Sequence, residues 1–95
     1  MPRKKKEVEK ALLKKGFILR KDKDHNFYFL YHNGVKTQIY TKTSHGSHKD
    51  IDDGLLGKMQ RQMGLPKKEF NEYMNCTFSK ADYIEYLINN KYIQP

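Results

Sequence analysis

The chain has one cysteine, no tryptophan and only three prolines among its 95 residues. Because Cys76 has no second cysteine to pair with, the sequence is not that of a disulfide-stabilised secreted domain. No apolar run approaches the roughly 20 residues of a membrane span, and none resembles the core of a signal peptide. These absences predict a protein of the reducing cytoplasm with no membrane partner. Cys76 itself is expected to be a small buried thiol.

Familiar catalytic and ligand-binding motifs are also scarce. The sequence has no glycine-rich phosphate loop and no Ser/His/Asp arrangement, which argues against nucleotide hydrolysis. His45 and His48 lie close together, but no four-ligand pattern accompanies them, so a polar loop is favoured over a zinc site. A single small domain also buries too little surface to enclose a large cofactor. We therefore expect neither a metal ion nor a cofactor.

Positive charge is what the chain has in excess. Nineteen Lys and Arg against eleven Asp and Glu give a net charge of +8. Residues 1–49 carry 13 basic and 4 acidic side chains, whereas residues 50–95 carry 6 basic and 7 acidic ones. Basic surfaces commonly bind polyanions, above all nucleic acid, although a merely solvated surface is the alternative. The distribution places a candidate binding surface in the N-terminal half.

The first elements are predicted from apolar spacing. Val8, Leu12 and Leu13 recur at helical spacing and predict a helix over residues 5–15, which Gly16 is placed to end. An apolar stretch at residues 17–20 follows at once and predicts a short strand.

A β-hairpin is the clearest local signal. Asn33-Gly34 is typical of a two-residue type I′ turn, and it joins predicted strands over residues 25–32 and 35–42. Since alternate residues share a face, one face is expected to be core, with Tyr28, Leu30, Val35 and Ile39. The other face is suited to stacking and phosphate contact, or to being half-covered by another segment. It carries His25, Phe27, Phe29, Tyr31, Lys36, Gln38, Tyr40 and Lys42.

Three more helices are predicted downstream. Asp50 can cap a second helix, and Gly64 follows its end. Phe70, Tyr73 and Met74 indicate a short third helix, and Ser79 with Asp82 opens a fourth.

These elements predict an α+β fold in the order α-β-β-β-α. A three-stranded antiparallel sheet would carry helices on one face within a domain over residues 1–65. Residues 66–95 would form a C-terminal helical extension that packs on this domain or makes a homodimer.

This outline matches a double-stranded-RNA-binding-domain fold. Within it, the run Ala-Leu-Leu-Lys-Lys-Gly-Phe at residues 11–17, His25 at the start of the second strand, and Met-Gln-Arg-Gln-Met-Gly-Leu at residues 59–65 resemble the HicA-type mRNA interferase toxins. The resemblance spans about residues 7–65. It implies that His25 is catalytic and, more loosely, that His45 corresponds to the histidine after the family's third strand. Lys23-Asp24 stand where the family usually has Gly-Ser.

The resemblance implies a metal-independent endoribonuclease, the toxin of a type II toxin–antitoxin pair, with RNA as substrate and a HicB-type antitoxin as partner. Such cleavage needs a group that moves the ribose 2′-hydroxyl proton and cations that stabilise charge on the phosphate. Histidine is the residue type that exchanges protons near neutral pH, and His25 would be that base or acid. The predicted RNA contacts are Lys14, Lys15, Arg20, Lys23, Lys36, Lys42 and His45.

Two other functions fit the same sequence. The chain could be a non-catalytic RNA-binding module, or a protein-interaction module whose basic face meets an acidic partner. Duplex-RNA binders place a lysine cluster at the start of the last helix of this fold. Here Asp50, Asp52 and Asp53 stand there and would repel phosphate, so duplex binding is disfavoured and single-strand contact stays open.

Overall fold

The computed structural model of the protein describes residues 2–44 and 49–95. Strands Phe17–Lys21, His25–His32 and Val35–Ser44 form an antiparallel sheet in that order, and the short strands Arg3–Lys4 and Asp50–Ile51 pair with each other. The predicted α+β class, with a three-stranded antiparallel sheet and a C-terminal helical segment, is confirmed. None of the helices in these ranges is long and apolar enough to cross a membrane. The elements in chain order are β1 (Arg3–Lys4), α1 (Lys5–Lys14), β2 (Phe17–Lys21), β3 (His25–His32), β4 (Val35–Ser44), β5 (Asp50–Ile51), α2 (Asp53–Gln62), α3 (Lys67–Met74) and α4 (Lys80–Asn89).

The β3–β4 hairpin turns at Asn33-Gly34, as predicted. Asn33 has φ 54° and Gly34 has φ 76°, the left-handed values that a type I′ turn needs at both central residues. The two-residue loop pairs His32 with Val35. Val35 was expected in the core, but it is 64% exposed. That prediction is wrong because Val35 lies at the tip of the hairpin, beside the turn.

A bulge interrupts the hairpin between Phe29 and Tyr31. The Thr37 hydroxyl donates to the Leu30 carbonyl at 2.8 Å and accepts the Ile39 N–H at 3.2 Å. The side chain of Thr37 therefore supplies hydrogen bonds where the regular ladder is broken. Beyond the bulge the regular pairing resumes, with Phe29 opposite Tyr40.

The start of α2 differs from the prediction. Asp50 lies in β5, opposite Lys4 of β1, so it does not cap the helix. Asp52 is the N-cap, and its carboxylate accepts the Leu55 N–H at 2.8 Å. The prediction fails because β1, which is distant in sequence, holds residues 50–51 in an extended conformation.

One apolar core joins the N-terminal and C-terminal parts of the chain. Leu12 of α1, Tyr73 of α3 and Tyr83 of α4 are all fully buried. The Phe17 ring of β2 stacks on Tyr83 at 6.1 Å and meets Tyr73 edge-on at 6.5 Å. The C-terminal helices therefore pack on the same side of the sheet as α1. The homodimer stays a prediction.

The ends of the later helices use local capping signals. The Ser79 hydroxyl accepts the Asp82 N–H, and the Asp82 carboxylate accepts the Ser79 N–H, which completes the predicted capping box of α4. Gly64, at φ 73°, follows α2 as predicted.

Cys76 is exposed, so the prediction of a buried thiol is wrong. It occupies the left-handed position, φ 63°, just past the end of α3, where the chain turns away from the core.

Candidate nucleic-acid interface

The two faces of the three-stranded sheet have different surroundings. The inner face buries Tyr28, Leu30 and Ile39 in the core, together with apolar side chains of the helices. The outer face, which we call the open face, is half-buried to exposed. It carries Ile18, Arg20, His25, Phe27, Phe29, Tyr31, Lys36, Tyr40 and Lys42.

Cross-strand pairing arranges the open face in rows. Each row runs across neighbouring strands, and side chains two residues apart along a strand stand about 6.6 Å from one another. The residues paired within the rows are Arg20, Phe27 and Lys42; Ile18, Phe29 and Tyr40; and Tyr31 with Lys36.

Three rings form a cluster at the centre of the open face. Phe27 and Phe29 lie 6.0 Å apart between centroids with nearly parallel planes, 13° from one another. Tyr40 lies 6.4 Å from Phe27 and 6.0 Å from Phe29. The ammonium of Lys36 sits 3.9 Å above the Phe29 ring, and that of Lys42 sits 6.0 Å from the Phe27 ring. The aromatic cluster of Phe27, Phe29 and Tyr40 is therefore flanked by cations.

His25 stands at the end of this cluster. Its ring is half-buried and lies 6.0 Å from Phe27. The backbone before it is held by Asp22, whose carboxylate accepts the N–H groups of Asp24 at 2.9 Å and His25 at 2.8 Å. Asp22 also donates its own N–H to the His25 carbonyl at 3.0 Å. The Asp22 side chain thus closes the turn and fixes the residue at which β3 begins.

The open face has one sign of charge. Arg20, Lys36 and Lys42 lie on it, and none of its residues is acidic. Two carboxylates, those of Asp22 and Asp24, lie in the turn before His25. A polyanion laid along the strands would therefore meet cations over most of its length.

The predicted RNA contacts divide into two groups. Arg20, Lys36 and Lys42 are brought together on the open face, and Lys23 is exposed in the turn beside His25. Lys14 is exposed at the end of α1, which packs against the inner face. His45 lies outside the described residues.

Lys15 lies away from the open face and in the interior. It is only 6% exposed, and its ammonium donates to the carbonyls of Tyr73 and Phe78. Burial lowers the pKa of this amine. Its ammonium therefore links the end of α1 to the C-terminal segment through these two hydrogen bonds.

A polar network under the sheet supports the same strands from the inner side. The Glu9 carboxylate of α1 accepts hydrogen bonds from the hydroxyls of Tyr28 at 3.0 Å and Thr43 at 3.1 Å. Burial, followed by the nearby Glu9 charge, raises the pKa of Tyr28 far above its usual value. Glu9 and Asp22 could not be recognised from the sequence because both look like ordinary surface carboxylates. The one signal that could have found Asp22 is its place as an acidic residue at the start of the turn between two strands.

No group of three or more His, Cys, Asp or Glu side chains within residues 2–44 and 49–95 is placed to hold a metal ion. Compared with protein-family models, curated proteins and solved structures, the chain matches none of them.

Proposed function

We propose that the chain is an RNA-binding protein that cleaves mRNA without a metal ion, with His25 as its general acid or base. The observation that carries the proposal is the position of His25. It stands on the same sheet face as Arg20 and Lys42, one row from both, at the edge of an acid-free basic surface. The resemblance to HicA-type toxins points to the same histidine.

The chemistry needs little more than these groups. In metal-free cleavage the ribose 2′-oxygen loses its proton and attacks the neighbouring phosphorus, and the departing 5′-oxygen gains a proton. His25 takes the first proton or supplies the second. Arg20 and Lys42, which flank the adjacent Phe27, offset the negative charge that grows on the phosphate oxygens. The cell would hold such a protein in check with a partner that covers the basic face, in the manner of a HicB-type antitoxin.

His25→Ala tests this role, and His32→Ala is its matched control, because the two histidines open and close the same strand. We expect His25→Ala to lower the cleavage rate of labelled mRNA in EDTA by about 100-fold or more, since acid–base catalysis contributes 10²–10⁴-fold. Growth arrest on induction should disappear with it. His32→Ala should cleave like the parent, and both variants should keep the parent's unfolding curve.

A parent protein that leaves RNA uncut from pH 6 to pH 8 would contradict the nuclease function. Equal loss of activity in the two variants would show that His25 has no special role.

One observation favours a second candidate, a non-catalytic RNA-binding module. The turn before His25 is held closed by Asp22, and it places the exposed Asp24 carboxylate next to the histidine in the chain. A carboxylate at this position repels a phosphate. RNA that binds the parent but stays intact would assign the chain to this second function.

A further inference from the structure

We infer that the aromatic cluster on the open face is a stacking platform for the unpaired bases of single-stranded RNA. RNA as the ligand rests on the proposed function. The platform itself rests on the arrangement of Phe27, Phe29 and Tyr40.

Strand β3 carries apolar side chains on both of its faces. Phe27 and Phe29 are aromatic on the open face, while Tyr28 and Leu30 are apolar on the inner face. A strand that is apolar on both faces is typical of a sheet covered on both sides. Among residues 2–44 and 49–95, the helices pack on the inner face, and the ring contacts of the cluster come from β3 and β4 alone. An aromatic patch on which no described helix packs marks a binding surface.

The spacing of the three rings favours an extended single strand over a stacked strand or a duplex. The three centroids of the aromatic cluster lie 6.0–6.4 Å apart. Bases stacked in a helical strand are only about 3.4 Å apart. Successive bases can each meet their own ring only if the strand is extended and its bases are unstacked. A duplex cannot do this because its bases are paired and enclosed.

The flanking cations supply the second half of a single-strand site. Lys36 lies 3.9 Å above the Phe29 ring, so this lysine already covers a ring where a base would stack. When a base takes its place, the ammonium can move to the phosphate of the same nucleotide. Proteins that bind single strands without reading sequence combine aromatic stacking with such a basic track.

The platform also positions a bound strand relative to His25. Along β3 the order of rings is Phe29, Phe27 and His25, with centroids 6.0 Å apart at each step. A strand that stacks two bases on the phenylalanines therefore brings the next phosphodiester to the histidine. The substrate class that fits is an unpaired RNA segment of at least three nucleotides.

The test measures binding of fluorescein-labelled octaadenylate by fluorescence anisotropy. All variants in this test also carry His25→Ala so that the RNA stays intact, and the His25→Ala protein is the parent with which they are compared. Phe27→Leu and Phe29→Leu keep an apolar side chain and remove the ring. We expect each to weaken binding by about 5-fold or more, because one stacked base contributes at least about 1 kcal/mol. The dependence of affinity on salt should not change, since no cation is removed.

Tyr40→Leu and Tyr92→Leu form a matched pair, because these rings are 40% and 42% exposed but only Tyr40 belongs to the cluster. Tyr40→Leu should weaken binding and Tyr92→Leu should not. Equal affinity of the parent and the phenylalanine variants would overturn the platform, and mRNA cleavage by the wild-type chain would still support the proposed function.

Tighter binding of a 16-base-pair RNA duplex than of octaadenylate would also overturn the platform. So would a dimer, seen by sedimentation, that Phe27→Leu dissociates, because the face would then belong to a second copy. If the wild-type chain neither binds nor cleaves RNA, the platform and the proposed function both fail.

Discussion

At the scale of single residues, neighbouring lysines have opposite roles. Lys14 and Lys15 are consecutive in the sequence, yet Lys14 is exposed and Lys15 is buried. The Lys15 ammonium donates to the Phe78 carbonyl at 3.0 Å and to the Tyr73 carbonyl, and it lies 4.5 Å from the centre of the Tyr73 ring. Tyr73 lies in the last turn of α3, where carbonyls lack partners within the helix, and Phe78 lies in the loop before α4. The buried ammonium therefore adds a charged donor at the point where the helix ends.

Replacing Lys15 with Met should therefore destabilise the fold. Lys15→Met keeps the length of the side chain. It removes the ammonium donor to the Phe78 carbonyl and one of the two donors to the Tyr73 carbonyl, which also accepts the Cys76 N–H. This loss costs about 1–3 kcal/mol. Lys14→Met should change the free energy of unfolding by less than about 0.5 kcal/mol. Urea unfolding of the two variants at pH 7 provides the comparison. Similar stabilities would mean that the Lys15 contacts contribute nothing beyond those of a surface lysine.

At the scale of elements, the end of α3 holds a non-glycine residue in a left-handed backbone conformation, which costs free energy. The N–H of Cys76 bonds to the Tyr73 carbonyl and the N–H of Thr77 bonds to the Glu72 carbonyl, the pattern of a Schellman motif. The residue between helix and loop must be left-handed, and Cys76 has φ 63° there. Gly64 fills the same position after α2 at no such cost.

Cys76→Gly should raise the free energy of unfolding by about 1 kcal/mol, because glycine avoids the left-handed penalty of a residue with a Cβ. Cys76→Ala is the control: it also removes the thiol but keeps the Cβ, so it should show no such gain. Thermal unfolding under reducing conditions measures both. A gain of the same size in Cys76→Ala would assign the effect to the thiol and not to the backbone.

Elements with local signals could be predicted from the sequence. Asn33-Gly34 determined the hairpin turn, and Ser79 with Asp82 determined the start of α4, since both act through residues no more than three positions apart. The β1–β5 pair could not be predicted in this way, because its two strands meet only after the chain has folded. The same holds within the site: alternation grouped Phe27 with His25, but nothing local separates a buried Lys15 from an exposed Lys14.

At the scale of the whole molecule, buried tyrosines tie both ends of the chain into one core. Tyr73 and Tyr83 meet at 5.2 Å, and Tyr83 lies against Phe17. The Tyr83 hydroxyl donates to the Met63 carbonyl at 2.8 Å. Burial raises the pKa of both phenols well above the ordinary value of 10.0. These phenols stay neutral in the folded chain at a pH where they ionise in the unfolded chain.

Stability should therefore fall in alkali. Above pH 10 the unfolded chain releases phenolic protons that the folded chain keeps, so each buried tyrosine lowers the free energy of unfolding by about 1.4 kcal/mol per pH unit. Tyr83→Phe removes one such proton. At pH 7 this variant should be about 1 kcal/mol less stable, because the hydrogen bond to Met63 is lost. Above pH 10 its stability should decline less steeply than that of the parent, so urea unfolding from pH 7 to pH 11 should show two curves that converge. Parallel curves would mean that Tyr83 ionises equally in both states and is not enclosed by the core.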